Sequence, residues 1–341
     1  MPKEIVCTAP GKLEWREYRE PELASKEVRI HAEFAAAKHG TEMAFFKGYV
    51  RQHGPLDRTY KVFRPGEPHE PYPFHIGNMV VGTVVAAGLE VSKVAVGDRV
   101  LAYSGFRETV VRDEGRCWKL PPQMSWKSAV CLDPADFALG AIRDGQVRVG
   151  DAVAIFGLGA IGLMAVQIAK VAGAALIIAV DPLTGRRELA KRFGADLVLD
   201  PASCDAGLEI KKATEARGAD VVIEYSGSRR ALQDALRAVA YGGNVVAGAY
   251  PSPYDAGLDL GAEAHHNIPN LIFSRACSEP NRDHPRWNEE RIFNVCLRLL
   301  AEGRISGEEI VTPVVHFSEL AEAYPRIATD PGSHLKLGVV Y

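Results

Sequence analysis

The chain has 341 residues, 47% hydrophobic and 24% charged, with a net charge of −3 and a pI near 6.4. That length suits about two domains and a core that needs no covalent staple. The charge balance argues against a nucleic-acid-binding surface, and no run of about 18 apolar residues offers a membrane span.

In chain order, Met1-Pro2-Lys3-Glu4 lacks the apolar stretch of a secretory signal. The first ~115 residues read as β-rich, with strands predicted over 28–34 and 80–87, and another after the Gly97-Asp98 turn. Residues 51–73 hold five prolines and form a long irregular connection. Its Arg51, His53, Arg58, Arg64 and His69 fit either a substrate-facing loop or a solvated surface loop. Near residue 127 the pattern changes to apolar strands alternating with helices. Strands are predicted over 152–156, 175–180, 197–199, 221–225 and 244–248. Helices are predicted over 161–172, 186–193 and 231–240. Continuous apolar strands alternating with helices imply a parallel sheet covered on both faces. Helices over 292–302 and 318–328 and a strand over 335–341 close the chain.

Cys7, Cys117, Cys131, Cys204, Cys277 and Cys296 form no C-x-x-C pair. The spacing is neither a disulfide framework nor a zinc ribbon, and scattered thiols fit a reducing cytoplasm.

Gly157-Leu158-Gly159-Ala160-Ile161-Gly162 directly follows a predicted strand and opens a predicted helix. In that context G-x-G-x-x-G is a dinucleotide fingerprint. Gly157 permits the tight turn, Gly159 the approach of a pyrophosphate, and Gly162 close helix–strand packing. The helix N-terminus offers free N–H groups to the phosphates. Asp181, at the end of the next strand, is placed to accept bonds from the ribose hydroxyls. It favours NAD over NADP, while Arg186 and Arg187 nearby weaken that preference a little.

An all-β region before such a motif resembles the medium-chain dehydrogenase/reductase superfamily, the zinc alcohol and polyol dehydrogenases and their relatives. Gly97-Asp98-Arg99-Val100, Gly150-Asp151, Gly194-Ala195-Asp196, the segment from Gly218 to Glu224 with Ser226-Gly227, and Gly242-Gly243 carry the resemblance over almost the whole chain. It implies an α/β architecture: a GroES-like β-rich catalytic domain from both chain ends (1–130 and 273–341) and a doubly wound Rossmann domain with a parallel sheet (131–272). It also implies that Ser226 and Gly227 line the nicotinamide side, and that Lys336 lies near the pyrophosphate. A homodimer or homotetramer is expected.

The departures from the family pattern bear on mechanism. Where zinc members carry Cys-Gly-Ser/Thr-Asp, this chain has His39-Gly40-Thr41-Glu42. Where they carry Gly-His-Glu, it has Gly77-Asn78-Met79. The third ligand position falls at Asp133, and the four-cysteine lobe of a structural zinc is absent. Catalytic zinc needs about three good protein donors, so no metal is expected, although His75 or His266 could join His39 and Asp133. Proton handling then passes to His39, with Thr41 as relay and Glu42 as orienting group or base; Asp133 is a further catalytic candidate. His265-His266 and the polar run 279–290 fit either substrate contacts or surface loops. The expected reaction interconverts a secondary alcohol of a polyol, sugar or similar small molecule and its ketone, with NAD. Alternatives are an NAD(P)H-dependent reductase of an activated C=C or quinone, and a non-catalytic dinucleotide sensor.

Overall fold

A computed structural model describes residues 1–49, 54–67, 70–254, 257–276 and 278–341. The chain begins with β1 (Lys3–Ala9), β2 (Lys12–Glu17), β3 (Glu27–Ala36), α1 (His39–Phe46), β4 (Leu56–Asp57), β5 (Val62–Phe63), β6 (Phe74–His75), β7 (Met79–Ala87), β8 (Arg99–Tyr103), β9 (Thr109–Asp113), β10 (Cys117–Lys119) and α2 (Trp126–Ala129). It continues with α3 (Leu132–Asp144), β11 (Ala152–Phe156), α4 (Ala160–Ala172), β12 (Leu176–Val180), α5 (Thr184–Arg192), β13 (Leu197–Leu199), α6 (Ala206–Ala213), β14 (Ala219–Glu224), α7 (Arg229–Ala238), β15 (Val239–Ala247), α8 (Glu263–Asn267), β16 (Asn270–Phe273) and α9 (Glu289–Ala301). It closes with β17 (Val314–His316), α10 (Leu320–Ala323), α11 (Arg326–Thr329) and β18 (Gly338–Val340).

Two compact units result, one from 1–130 with 311–341 and one from 131–310. The return falls at 310 rather than 272, because α9 packs on α3 within the second unit. Gln167 of α4 adds to this. Its Oε1 accepts from Ser306 N (2.7 Å) and its Nε2 donates to Ser306 O (3.1 Å).

In the first unit the main sheet runs β10-β8-β7-β3-β18-β17 among the described residues, and a smaller sheet runs β2-β1-β6. β3 is shared along its length: residues 27–31 pair with β9, and 34–36 with β18. The end of β3 therefore lies between two strand starts: Ala36 pairs with Met79 of β7 on one edge and with Gly338 of β18 on the other. Ile5, Ile30, Phe106, Tyr324 and Leu337 are among the core residues of this unit.

In the second unit the sheet runs β13-β12-β11-β14-β15-β16, all parallel. The order reverses between β11 and β14, which is where such sheets bind dinucleotides. Every residue of β11 is buried, as a strand covered on both faces requires.

Several elements depart from the sequence reading. β16, with mostly exposed residues, carries no alternation that marks it. The helix expected over 318–328 is broken into a 3₁₀ turn (Phe317–Glu319), α10 and α11. Pro325 has no N–H to continue a helix, and α11 restarts behind it. The closing strand shortens to Gly338–Val340.

Replacing Gln167 by Ala leaves Ser306 N–H and C=O without their partner. It should cost about 1–3 kcal/mol, read from the midpoint of denaturant unfolding.

Candidate active site

The glycine loop is a tight turn packed against the start of α4. Gly157 has φ +85°, and a Cβ there would lie 2.4 Å from Ser226 N. A Cβ on Gly162 would lie 1.9 Å from Gly157 O, so only glycine lets α4 sit this close to the turn. Gly159 has nothing within 4 Å of its Cβ direction and caps α4, leaving space at the helix N-terminus. Leu158, Ala160 and Ile161 complete the loop; Leu158 is fully buried.

Asp181 is 4% exposed. Its Oδ2 accepts from Leu158 N (2.8 Å) and its Oδ1 from Leu183 N (2.9 Å). It thus ties the glycine loop to the end of β12 while lining a cavity of about 260 Å³ with Gly157, Pro182, Pro201, Ser226 and Arg230. Arg186 lies 3.8 Å from Asp181 Oδ2. Arg187 reaches Asp181 O (2.7 Å) and Asp200 Oδ2 (3.2 Å). Both arginines therefore already face carboxylates. Across the switch point Glu224, buried at the end of β14, accepts from Ser226 N (2.6 Å) and Gly227 N (3.0 Å). Burial pushes its carboxyl above the ordinary range, against the pull of these bonds. Glu224 thereby holds the Ser226-Gly227 turn, a role that sequence reasoning missed. A buried acid closing a strand before Ser-Gly was the available signal. This loop, helix terminus and cavity fit a dinucleotide.

In the first unit, α1 follows β3 directly and carries His39, Thr41 and Glu42. His39 Nε2 accepts from Leu337 N (2.9 Å). An imidazole accepting at Nε2 carries its proton on Nδ1, so uptake of a proton at Nε2 would cost this bond. Lys336, 2% exposed, donates to Ala37 O (2.7 Å). The expectation for Lys336 was the pyrophosphate; here its ammonium is engaged beside α1. Glu42 is 8% exposed and holds three donors. Tyr324 OH (2.7 Å) and Gly77 N (3.1 Å) bond Oε2, and Lys38 N (2.9 Å) bonds Oε1. Burial raises its carboxyl, opposed by these donors and the charge of Lys336. With both oxygens held by α1's entry, β7's approach and Tyr324, Glu42 is placed to organise backbone.

Asn78 sits one residue on. Its N–H donates to Ala36 O (3.0 Å) and its carbonyl accepts from Ser104 N (2.9 Å). Its Nδ2 is buried and meets no acceptor among the described residues. Met79 is fully buried in β7. Asp133, 2% exposed, lies in the first turn of α3, in the second unit.

These donors do not fit a catalytic zinc. Among the described residues no group of three or more His, Cys, Asp or Glu side chains comes together to hold a metal. An amide and a thioether stand where imidazole and carboxylate are wanted, and Leu337 N occupies one His39 nitrogen. His75 lies instead against Glu4 (3.2 Å), which also pairs with Arg107 (2.8 Å). His265 and His266 are exposed on α8, ring to ring at 5.8 Å. The 279–290 run is anchored to α3, where Arg143 stacks on Trp287 (3.6 Å) and pairs with Asp283. In the proline-rich loop Arg64 pairs with Asp57 and Glu67, and Arg58 is exposed. Arg51, His53, His69 and Cys277 lie outside the described residues.

Two family models match: an alcohol dehydrogenase GroES-like domain over residues 25–142, and a zinc-binding dehydrogenase over 160–272. The D-guloside 3-dehydrogenase of Escherichia coli K12 is 42% identical over 351 aligned positions, covering 99% of this chain and 100% of the relative. Among solved structures, 2R,3R-butanediol dehydrogenase from Bacillus subtilis superposes with a TM-score of 0.81 at 24% identity, over 100% of both chains. An alcohol dehydrogenase from E. coli CFT073, solved with NADH, superposes with a TM-score of 0.80 at 22% identity, over 100% of this chain and 99% of that one. The chain belongs to the medium-chain dehydrogenase/reductase superfamily. It pairs a GroES-like domain with a Rossmann domain, and it is an oxidoreductase of this pyridine-nucleotide-dependent family.

Two outcomes follow from this geometry. Gly159→Ala should leave the melting temperature unchanged while weakening NADH binding about tenfold or more, roughly 1.4 kcal/mol. Gly162→Ala should lower both; NADH fluorescence and thermal unfolding separate the two. Glu42→Gln should destabilise by about 1–3 kcal/mol, because an amide cannot accept from donors on both sides. Since the folded-state carboxyl is raised, the wild-type advantage is largest at acid pH. It declines as pH rises from the ordinary glutamate range through the folded value. Denaturant unfolding at acid and at mildly alkaline pH measures this slope.

Proposed function

We propose that this protein oxidises a secondary ring hydroxyl of a hexopyranoside to the ketone, with NAD as cofactor and without a catalytic zinc. The observation that carries the reading is the full-length 42% identity to a D-guloside 3-dehydrogenase. It also favours alcohol oxidation over C=C reduction.

NAD, when bound, accepts the hydride from the carbon that bears the hydroxyl. Asp181, with Arg186 and Arg187 already on carboxylates, supports NAD over NADP. The Gly157–Gly162 loop, Ser226 and Gly227 hold the dinucleotide. The hydroxyl proton has to leave as the hydride does. Thr41 passes that proton through its hydroxyl, and His39 exchanges it onward at Nε2, giving up the bond from Leu337 N as it does. Asp133 is assigned a supporting electrostatic role. Five described cysteines are free thiols, which suits a reducing cytoplasm. Among the described residues no helix is long and apolar enough to cross a membrane. A homodimer or homotetramer is the proposed assembly.

The test is steady-state kinetics on methyl D-guloside, sorbitol and 2,3-butanediol with each nicotinamide cofactor. The expected result is fastest turnover on the guloside and at least a tenfold preference for NAD, about 1.4 kcal/mol. Turnover confined to enones with NADPH would overturn the reading. Elemental analysis of unchelated protein should find far less than one zinc per chain; stoichiometric zinc would remove the zinc-free part. His39→Ala should lower kcat about 10²–10⁴-fold.

A further inference from the structure

We propose that Asn78 is a catalytic hydrogen-bond donor: its Nδ2–H binds the substrate oxygen and polarises it during oxidation of the alcohol and reduction of the ketone. The inference rests on the dehydrogenase reading above and adds a residue to it.

A buried donor without an acceptor costs about 1–3 kcal/mol and calls for a cause. Asn78 Nδ2 is such a donor among the described residues, yet nothing about its backbone is loose. Its N–H is on Ala36 O, its C=O is on Ser104 N, and the preceding Gly77 N is on the carboxylate of Glu42. The side chain therefore springs from a backbone fixed on both sides, as preorganisation requires.

The place is also specific. Asn78 bonds Ala36, the last residue of β3, and α1 with His39 and Thr41 begins just beyond. The next residue on the β3 side is tied to β18's approach at both its backbone groups: Ala37 N donates to Leu337 O, and Ala37 O accepts from Lys336 Nζ. The orphaned amide thus stands beside the end of β3, from which the chain enters α1 with the proton-handling side chains.

The chemistry wants this kind of group. In oxidation the C–H electron pair leaves as hydride to NAD⁺, the C–O bond becomes C=O, and the hydroxyl proton goes to the Thr41–His39 pair. Negative charge develops on the oxygen in between. A neutral amide donates to that oxygen without giving up its proton, and the bond is strongest when the charge is largest. The amide also leaves proton transfer to the other residues, since it titrates nowhere near neutrality.

The experiment compares wild type with Asn78→Ala and Asn78→Asp, using methyl D-guloside and NAD⁺. Asn78→Ala should lower kcat about 10²–10³-fold, the typical effect of removing one such donor. KM for NAD⁺ should change less than about threefold. Its melting temperature should hold or rise, because truncation removes an unsatisfied donor rather than a bond. Asn78→Asp keeps the shape but turns an acceptor toward the oxygen, and should be at least as slow. A second readout is the infrared C=O stretch of a bound 3-keto methyl hexoside, which should sit lower in wild type than in either variant. Turnover by Asn78→Ala within about threefold of wild type, as for an amide that only holds an ordered water, overturns the proposal. So does parallel loss of stability and activity with both restored in Asn78→Asp. If Asn78→Ala does not fold, the stretch in Asn78→Asp decides. If wild type itself turns over no alcohol, the dehydrogenase reading fails first, and that result is distinct from an active enzyme indifferent to residue 78.

Discussion

The candidate catalytic corner depends on two bonds that run from residues 336–337 back to residues 37–39. Lys336 Nζ holds Ala37 O at 2.7 Å and Leu337 N holds His39 Nε2 at 2.9 Å, over sequence separations of 299 and 298. The first fixes the turn from β3 into α1, and the second fixes the imidazole and its tautomer. Glu42 completes the arrangement by accepting from Lys38, Gly77 and Tyr324. Taking a lysine and a glutamate out of water is expensive, and burying such groups is poor value as pure stabilisation. What it provides here is position: the entry to α1, the approach to Asn78 and Tyr324 are all referred to one carboxylate.

The second unit solves its positional problem with backbone rather than charge pairs. Parallel strands bring the turns after β11 and β14 side by side, and glycines let them touch. Asp181 and Glu224 each turn back onto backbone amides near the cavity, Asp181 holding the glycine loop and Glu224 the Ser226 turn. The acids of this region are thus engaged by backbone amides. That explains how a loop rich in glycine keeps a defined shape.

Much of this was legible in the amino-acid order. β11 matches residue for residue, because a short run of buried apolar residues followed by G-x-G-x-x-G has few other solutions. The parallel sheet and the three glycine roles follow from the same local signal. β16 was not legible, because Asn270, Leu271 and Phe273 are exposed and the strand is held by β15 rather than by a pattern of its own. The 318–328 helix was overextended, because its apolar periodicity persists across Pro325. His39, Thr41 and Glu42 were singled out by their place in the motif that the family resemblance supplies. Their partners were not, since Leu337, Lys336 and Tyr324 lie almost 300 positions away. Asn78 was read only as a poor metal ligand. Its meaning as a donor depends on counting acceptors around it, which requires the fold.

The division of the first unit between 1–130 and 311–341 also bears on how the protein is made. Residues 131–310 are contiguous and can fold as soon as they leave the ribosome. The first 130 residues emerge earlier yet must wait for β18 to cover the end of β3 and for Tyr324 to reach Glu42. At about 5–20 residues per second that wait lasts roughly 10–40 s. Throughout it the nascent chain presents an unpaired edge at residues 34–36 of β3, a template for pairing with other chains. The end of β3 is therefore the part of the first unit that stays open to mispairing longest during synthesis.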